Sequence, residues 1–243
     1  MPVPPFNFTY NNTFCISLEK SHERWNKMKN QFNYFNIDVQ RWNASIPENI
    51  TDNFVENLSG VQKACSQSHI NIYRHIIENN IEYALILEDD ACFDFSWKTK
   101  LNELSNQLTQ EQYNNLNMVL LNASEPIDEL FKWKLQTEQY LSAGYIITKK
   151  GALWILNHYS SCFCGIDWMT TRLQLCDGNS YSYFPWLIIQ EGISSTIQPN
   201  GNCDADRNKV INCLNNINYN MCSNYYMNDH TYDEKKQPVP INY

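Results

Sequence analysis

The chain has 243 residues, a length suited to one α/β domain with an appendage. Apolar residues make up 43% and aromatics 14%, which supplies a core and excludes an intrinsically disordered chain. The formal net charge is −8 and the Lys and Arg residues are scattered, so a nucleic-acid surface with its basic patch is excluded, whereas a small locally basic pocket for a phosphate-bearing ligand is not.

No run is apolar for long enough to cross a membrane. The start, Met1 to Asn7, lacks the basic and apolar regions of a signal peptide, so the expectation is a cytoplasmic protein. Its nine cysteines are then expected to be mostly reduced. The later ones, Cys162, Cys164, Cys176, Cys203, Cys213 and Cys222, follow no zinc spacing.

In chain order, Thr13 to Leu18 reads as a buried first strand. A helix is predicted from Ser21, as N-cap, to about Phe35, with Arg24 in its first turn. Asp38 to Trp42 reads as a short strand, and Asn43 to Ser59 as a loop around Pro47. Gly60 to Asn80 is the clearest helix, with Val61, Cys65, Ile72 and Ile76 on one face and Ser68-His69 beside them. Tyr83 to Leu87 has the continuous apolar character of a strand buried on both faces. A helix over Ser96–Leu108, strands at Met118–Leu121 and Gly144–Thr148, helices from Gly151 to His158 and from Asp167 to Leu175, and extended chain over Tyr181–Ile189 follow. Strands alternating with helices indicate an α/β sheet, mainly parallel at its start. Beyond about Gln198 the pattern dissolves.

Four features carry chemistry. Glu88-Asp89-Asp90 closes the buried strand, where an open α/β sheet places its ligand. Hard divalent cations take carboxylate and phosphate oxygens, so the triplet reads either as a cation-and-diphosphate site or as a solvated turn. His69 lies beside the apolar face of the preceding helix and reads either as a core residue or as part of the site. Ser142-Ala143-Gly144-Tyr145 sets small residues at a strand mouth, where backbone can approach a sugar or phosphate or simply turn. Asp167-Trp168 joins a carboxylate to an aromatic face, a pairing that suits sugars.

Together these segments resemble glycosyltransferase family 25, which includes lipopolysaccharide-type and collagen galactosyltransferases. Ile16-Ser17-Leu18-Glu19-Lys20-Ser21-His22-Glu23-Arg24 is similar to its opening I-N-L-x-R-S-x-x-R, and Ala64 to His69 to its Gly-Cys-x-x-Ser-His. Ala84 to Asp90 matches A-L-I-L-E-D-D, and Gly144 to Ala152 resembles G-Y-I-I-[ST]-x-x-[GA]-A. Ser17, Lys20 and Ala64 depart from the family's Asn, Arg and Gly.

The resemblance covers about Thr13 to Gln198 and implies a GT-A-like, Rossmann-like single domain over 13–198, between a lead (1–12) and a Cys- and Asn-rich, partly mobile extension (199–243). It implies a UDP-sugar donor, Mn²⁺ or Mg²⁺, and inverting transfer of galactose or glucose to a glycan or glycosylated protein. Asp90 and Glu88 would hold the metal, with Glu88 or Asp89 near the donor. Ser17, Leu18, Lys20, Ser21 and Arg24 would line the nucleotide pocket. His69, Gly144 and Tyr145 would brace the donor, and Asp167 would be the general base. A catalytically silent sugar- or protein-binding member and a nucleotide-sugar hydrolase are the alternatives.

Overall fold

The computed structural model describes residues 5–123, 131–135, 138–140, 142–190 and 226. The predicted extension lies outside these residues except at Tyr226, whose backbone N–H donates to Phe93 O at 2.8 Å and whose ring packs near Tyr34, Phe35 and Phe95.

The first half winds as its alternation predicts. β1 (Thr13–Ser17) leads through α1 (His22–Phe35) to β2 (Gln40–Asn43), then through α2 (Gly60–Glu78) to β3 (Tyr83–Glu88). Both β2 and β3 pair with β1 in parallel, on opposite sides of it. The chain therefore steps one way from β1 to β2 and then runs back past β1 to β3, and a crevice opens at the strand ends between β1 and β3.

α1 ends where Asn36 adopts the left-handed conformation at φ 49°, a geometry Asn tolerates. Ser21 occupies the N-cap position as predicted, but its side chain makes no cap bond. α2 starts with a capping box, in which Ser59 and Gln62 satisfy each other's exposed backbone N–H groups.

After β3 come β4 (Ala91–Phe93), α3 (Trp97–Gln107), α4 (Gln110–Asn115), β5 (Met118–Leu120) and β6 (Lys132–Leu135). β7 (Gly144–Thr148), α5 (Lys149–Tyr159), α6 (Ile166–Asp177), β8 (Ser180–Phe184) and β9 (Ile188–Gln190) complete the described fold. The main sheet runs β2-β1-β3-β7-β5-β8-β6, and β4 and β9 form a separate antiparallel pair. β7 and β6 run against the other strands, so five of the seven point one way. This is the α/β architecture expected, with a mostly parallel, mixed sheet consistent with a GT-A-like fold. Short β4, β6 and α4 escaped the sequence reading because their few residues carry no periodicity.

Alternation along the central strands divides the core in two. Cys15, Leu85, Leu87, Val119 and Ile146 face α1 and α3, meeting Met28, Phe32, Trp97 and Leu101. Phe14, Ile16, Ala84, Ile86 and Ile147 face α2, α5 and α6, meeting Ile72, Tyr73, Ile155 and Met169. Val61, expected on the buried face of α2, is 39% exposed because it lies in the first turn, beyond the sheet's cover.

Close backbone approach decides one position near the other end of the sheet. A Cβ added at Gly151 would lie 2.6 Å from the Asn117 carbonyl oxygen, which is itself engaged by Thr148 N–H. Backbone so held has little room to yield. Gly151→Ala is expected to destabilise the protein by about 1–3 kcal/mol; thermal denaturation followed by circular dichroism will show a Tm lowered by several degrees.

Candidate functional site

The acidic triplet sits at the crevice. β1 and β3 align Ile16 with Glu88, so Ser17 and Leu18 lie beside Asp89 and Asp90. β7 enters from the opposite direction, and Glu88 N–H donates to Ala143 O at 2.9 Å. Only Asp89 and Asp90 separate β3 from β4, so neither carboxylate escapes far into water.

Arg24, projecting from the first turn of α1, is the counterion. Its guanidinium lies 2.7 Å from Asp89 Oδ1 and 2.9 Å from Asp90 Oδ2. That leaves Asp90 Oδ1 buried without a hydrogen-bond partner among the described residues. Burial, with repulsion from Glu88 and Asp89, pushes the Asp90 carboxyl up to about 7 against the opposing pull of Arg24. Burial also raises Asp89, with Arg24 and Ser17 opposing it. For Glu88, burial works upward, yet His69, Ser142 and Arg24 together hold it below the usual range.

Glu88 is gripped from the side of β7. Ser142 Oγ donates to Glu88 Oε1 at 2.5 Å, and His69 Nε2 stands 3.6 Å from the same oxygen. His69 is fully buried, and its Nδ1 lies 2.7 Å from Tyr145 OH. Tyr145 OH is in turn 2.7 Å from Tyr73 OH. A buried polar chain thus runs Tyr73–Tyr145–His69 towards Glu88. Tyr145 reaches the crevice only through His69. Gly144 has a packing role, since a Cβ there would come within 2.5 Å of Ile188 Cδ1.

The loop between β1 and α1 is shaped by a residue the sequence reading left in a strand. Arg41 Nη2 donates to Leu18 O at 2.7 Å, and to Glu19 O and Ser17 Oγ at 3.2 Å each. Its guanidinium also lies over Trp25, 5.1 Å from the ring centroid. Ser21 N–H closes the turn on Leu18 O at 2.9 Å, and Lys20 is exposed at its tip. An Arg within a short strand gives no local sign of this role, because its partners lie more than twenty residues earlier.

α2 ties down the surrounding loops. Ser66 Oγ accepts from Ile166 N–H at 2.9 Å, fixing the start of α6. Ser68 Oγ accepts from Ser45 N–H at 2.8 Å. Gln67 accepts from the backbone N–H of Thr51 and Asp52, and Asp52 pairs with Arg74 through two 2.7 Å contacts. Asp167, in the first turn of α6, is thereby held near α2, close enough to bear on the ionisation of Cys65 and Tyr73. Beside it Trp168 is 59% exposed, with Tyr140 edge-on at 5.6 Å. The structure thus gathers Ser17, Leu18, Ser21, Arg24, His69, Glu88, Asp89 and Asp90 around one crevice, with Asp167 on the helix that α2 anchors.

A family model described as glycosyltransferase family 25 (LPS biosynthesis protein) matches residues 10–170, more than half of the chain. The chain belongs to this family. Among individual proteins it is similar to procollagen galactosyltransferase 1-B of Xenopus laevis, 24% identical over 177 residues, or 63% of this chain and 29% of the relative. It is 23% identical to a glycosyltransferase 25 family member of Aedes aegypti, over 62% of this chain and 28% of the relative. The chain thus spans less than a third of the length of these animal relatives. It also resembles the lipooligosaccharide biosynthesis protein lic2B of Haemophilus influenzae, 22% identical over 82% of this chain and 84% of that protein.

Cys15, Cys65, Cys162, Cys164 and Cys176 of this family member are free, and no helix among the described residues is long and apolar enough to cross a membrane. Asp90 gives a direct electrostatic test. Its carboxyl holds a proton more tightly when folded, so ionising it costs stability as pH rises from 3.8 towards 7, and the cost is complete above that. Asp90→Asn is expected to stabilise the protein at mildly alkaline pH by on the order of 2 kcal/mol after allowance for partial exposure, read as a higher Tm. The gain will shrink as pH falls and vanish below about 3.8, as melting curves across pH will show.

Proposed function

We propose that the chain transfers a hexose, galactose or glucose, from a UDP-sugar to a hydroxyl of a glycan or glycosylated protein, with inversion at the anomeric carbon and with Mn²⁺ or Mg²⁺. The observation that carries this reading is the buried Asp90 Oδ1, without a hydrogen-bond partner among the described residues, at the strand ends of an α/β crevice. A lone carboxylate oxygen with raised proton affinity, among further carboxylates, fits a hard cation. Asp90 and Glu88 would hold it, and when bound it would neutralise charge on the departing diphosphate.

The chain's own residues supply the rest. The loop from Ser17 to Arg24, shaped by Arg41, borders the nucleotide pocket, and Arg24 offers a guanidinium at the crevice. His69 and Ser142 orient Glu88. Asp167 takes the proton from the attacking acceptor hydroxyl as the new bond forms, which is general base catalysis. Trp168 and Tyr140 give the acceptor sugar an aromatic face next to that base. A single displacement needs no covalent enzyme intermediate. The lipooligosaccharide and procollagen names of the relatives support a glycan or a glycosylated protein as acceptor.

The test incubates the protein with a panel of UDP-sugars and Mn²⁺ or Mg²⁺, with and without EDTA and candidate acceptors, while UDP release is followed. Release dependent on metal and acceptor is expected. Asp167→Asn should lower kcat by about 10²–10⁴-fold. Trp168→Ala should raise the acceptor KM by about 2–10-fold, the worth of one aromatic contact, and leave the donor KM unchanged. No release from any donor, with wild type matching Asp90→Ala, overturns the enzymatic reading. Release that no acceptor accelerates assigns a hydrolase instead.

A further inference from the structure

Next to the hard carboxylate site the crevice holds donors of a different kind. Cys65 and His69 lie one helical turn apart on α2, so their side chains share a face. With Glu88 from the end of β3 they bring a thiol sulfur, a ring nitrogen and a carboxylate oxygen within 4.8 Å of one another. Zinc bonds of about 2.0–2.3 Å require donors roughly 3.5 Å apart, so side-chain adjustment of about an ångström closes the set.

Two further observations point at a ligand. His69 is 0% exposed, yet its Nε2 has no hydrogen-bond partner among the described residues, because Glu88 Oε1 at 3.6 Å is too far. A buried polar atom left in this state carries a desolvation cost that a cation would remove. The other ring nitrogen, Nδ1, is held by Tyr145 OH at 2.7 Å, and Tyr145 by Tyr73. A ring braced at one nitrogen and bare at the other is the arrangement of a metal-ligating histidine.

We propose that Cys65, His69 and Glu88 form a second cation site, selective for a soft divalent ion of the zinc class, beside the Asp90 position and distinct from it. Thiolate and imidazole favour such an ion over Mg²⁺ or Mn²⁺, whereas Asp90 offers only oxygen. On binding, the Cys65 thiol gives its proton to solvent and its sulfur bonds the ion. Three protein donors leave one tetrahedral position for a solvent oxygen. Glu88 is common to the two sites, so an ion here draws that carboxylate away from the transferase crevice. Binding itself depends neither on Asp90 nor on any activity.

The reduced, EDTA-treated full chain is titrated with Co²⁺ as a spectroscopic probe. A thiolate-to-cobalt charge-transfer band in the near ultraviolet and tetrahedral visible bands are expected, and Zn²⁺ should bleach both. Cys65→Ser should lose the near-ultraviolet band and weaken Zn²⁺ binding at least tenfold. Asp90→Ala should keep the band while losing metal-dependent UDP release, which separates failure of this proposal from failure of the transferase reading. No band in the wild type, or an unchanged band in Cys65→Ser, overturns the site. Wild-type protein loaded with one equivalent of Zn²⁺ decides the matter without a variant. X-ray absorption should give one sulfur at about 2.3 Å among lighter atoms; a shell of nitrogen and oxygen alone, or of several sulfurs, overturns it.

Discussion

The constraint on which this molecule turns is the confinement of three consecutive carboxylates between two buried strands. Glu88 ends β3 and Ala91 begins β4, which is pinned antiparallel to β9. The intervening aspartates cannot swing out to full hydration. In an effective dielectric of ~20, two like charges at 4 Å repel by about 4 kcal/mol. One Arg24 guanidinium touches two of the three acids and leaves Asp90 with an oxygen unmatched. Residual repulsion at a strand end is stored capacity for a cation.

The winding of the chain explains why this stress sits where a ligand reaches it. The crossover from β1 to β2 and the one from β2 back to β3 carry α1 and α2 on opposite faces of the sheet. The strand ends between them part at the level of Ser17 and Glu88. The antiparallel β7 then closes one wall, which lets Ser142 approach Glu88 from a direction a parallel neighbour would not supply.

Much of this was legible in the sequence because it rests on local patterns. Continuous apolar runs marked β1, β3, β5 and β7, the long amphipathic stretch marked α2, and the acids at a strand end marked the crevice. Other features were illegible for a physical reason, since they exist only across distance. Arg41 acts on carbonyls more than twenty residues earlier, and Tyr73 joins His69 through a residue on a strand seventy-two positions later. The small residue at 144 suggests room for a ligand, yet a side chain there would meet Ile188, which is seated by its backbone bond to Leu121 O far along the chain. Cys65 read as a helix-face apolar residue, and only the fold brings Glu88 to it.

α2 is the element that turns a strained strand end into a defined site. Its middle turns are polar yet buried, an arrangement that costs free energy unless every group finds a partner. Ser66, Gln67 and Ser68 find theirs in the backbone of α6 and of the 45–52 loop, so each bond also fixes a crevice wall. His69 alone keeps a bare nitrogen, and it points at Glu88. Three satisfied residues in a row make the fourth conspicuous. The same helix that anchors the walls carries a buried ring whose second nitrogen lacks a partner among the described residues, so the bonds of Ser66, Gln67 and Ser68 hold the walls while the free nitrogen of His69 is left facing Glu88.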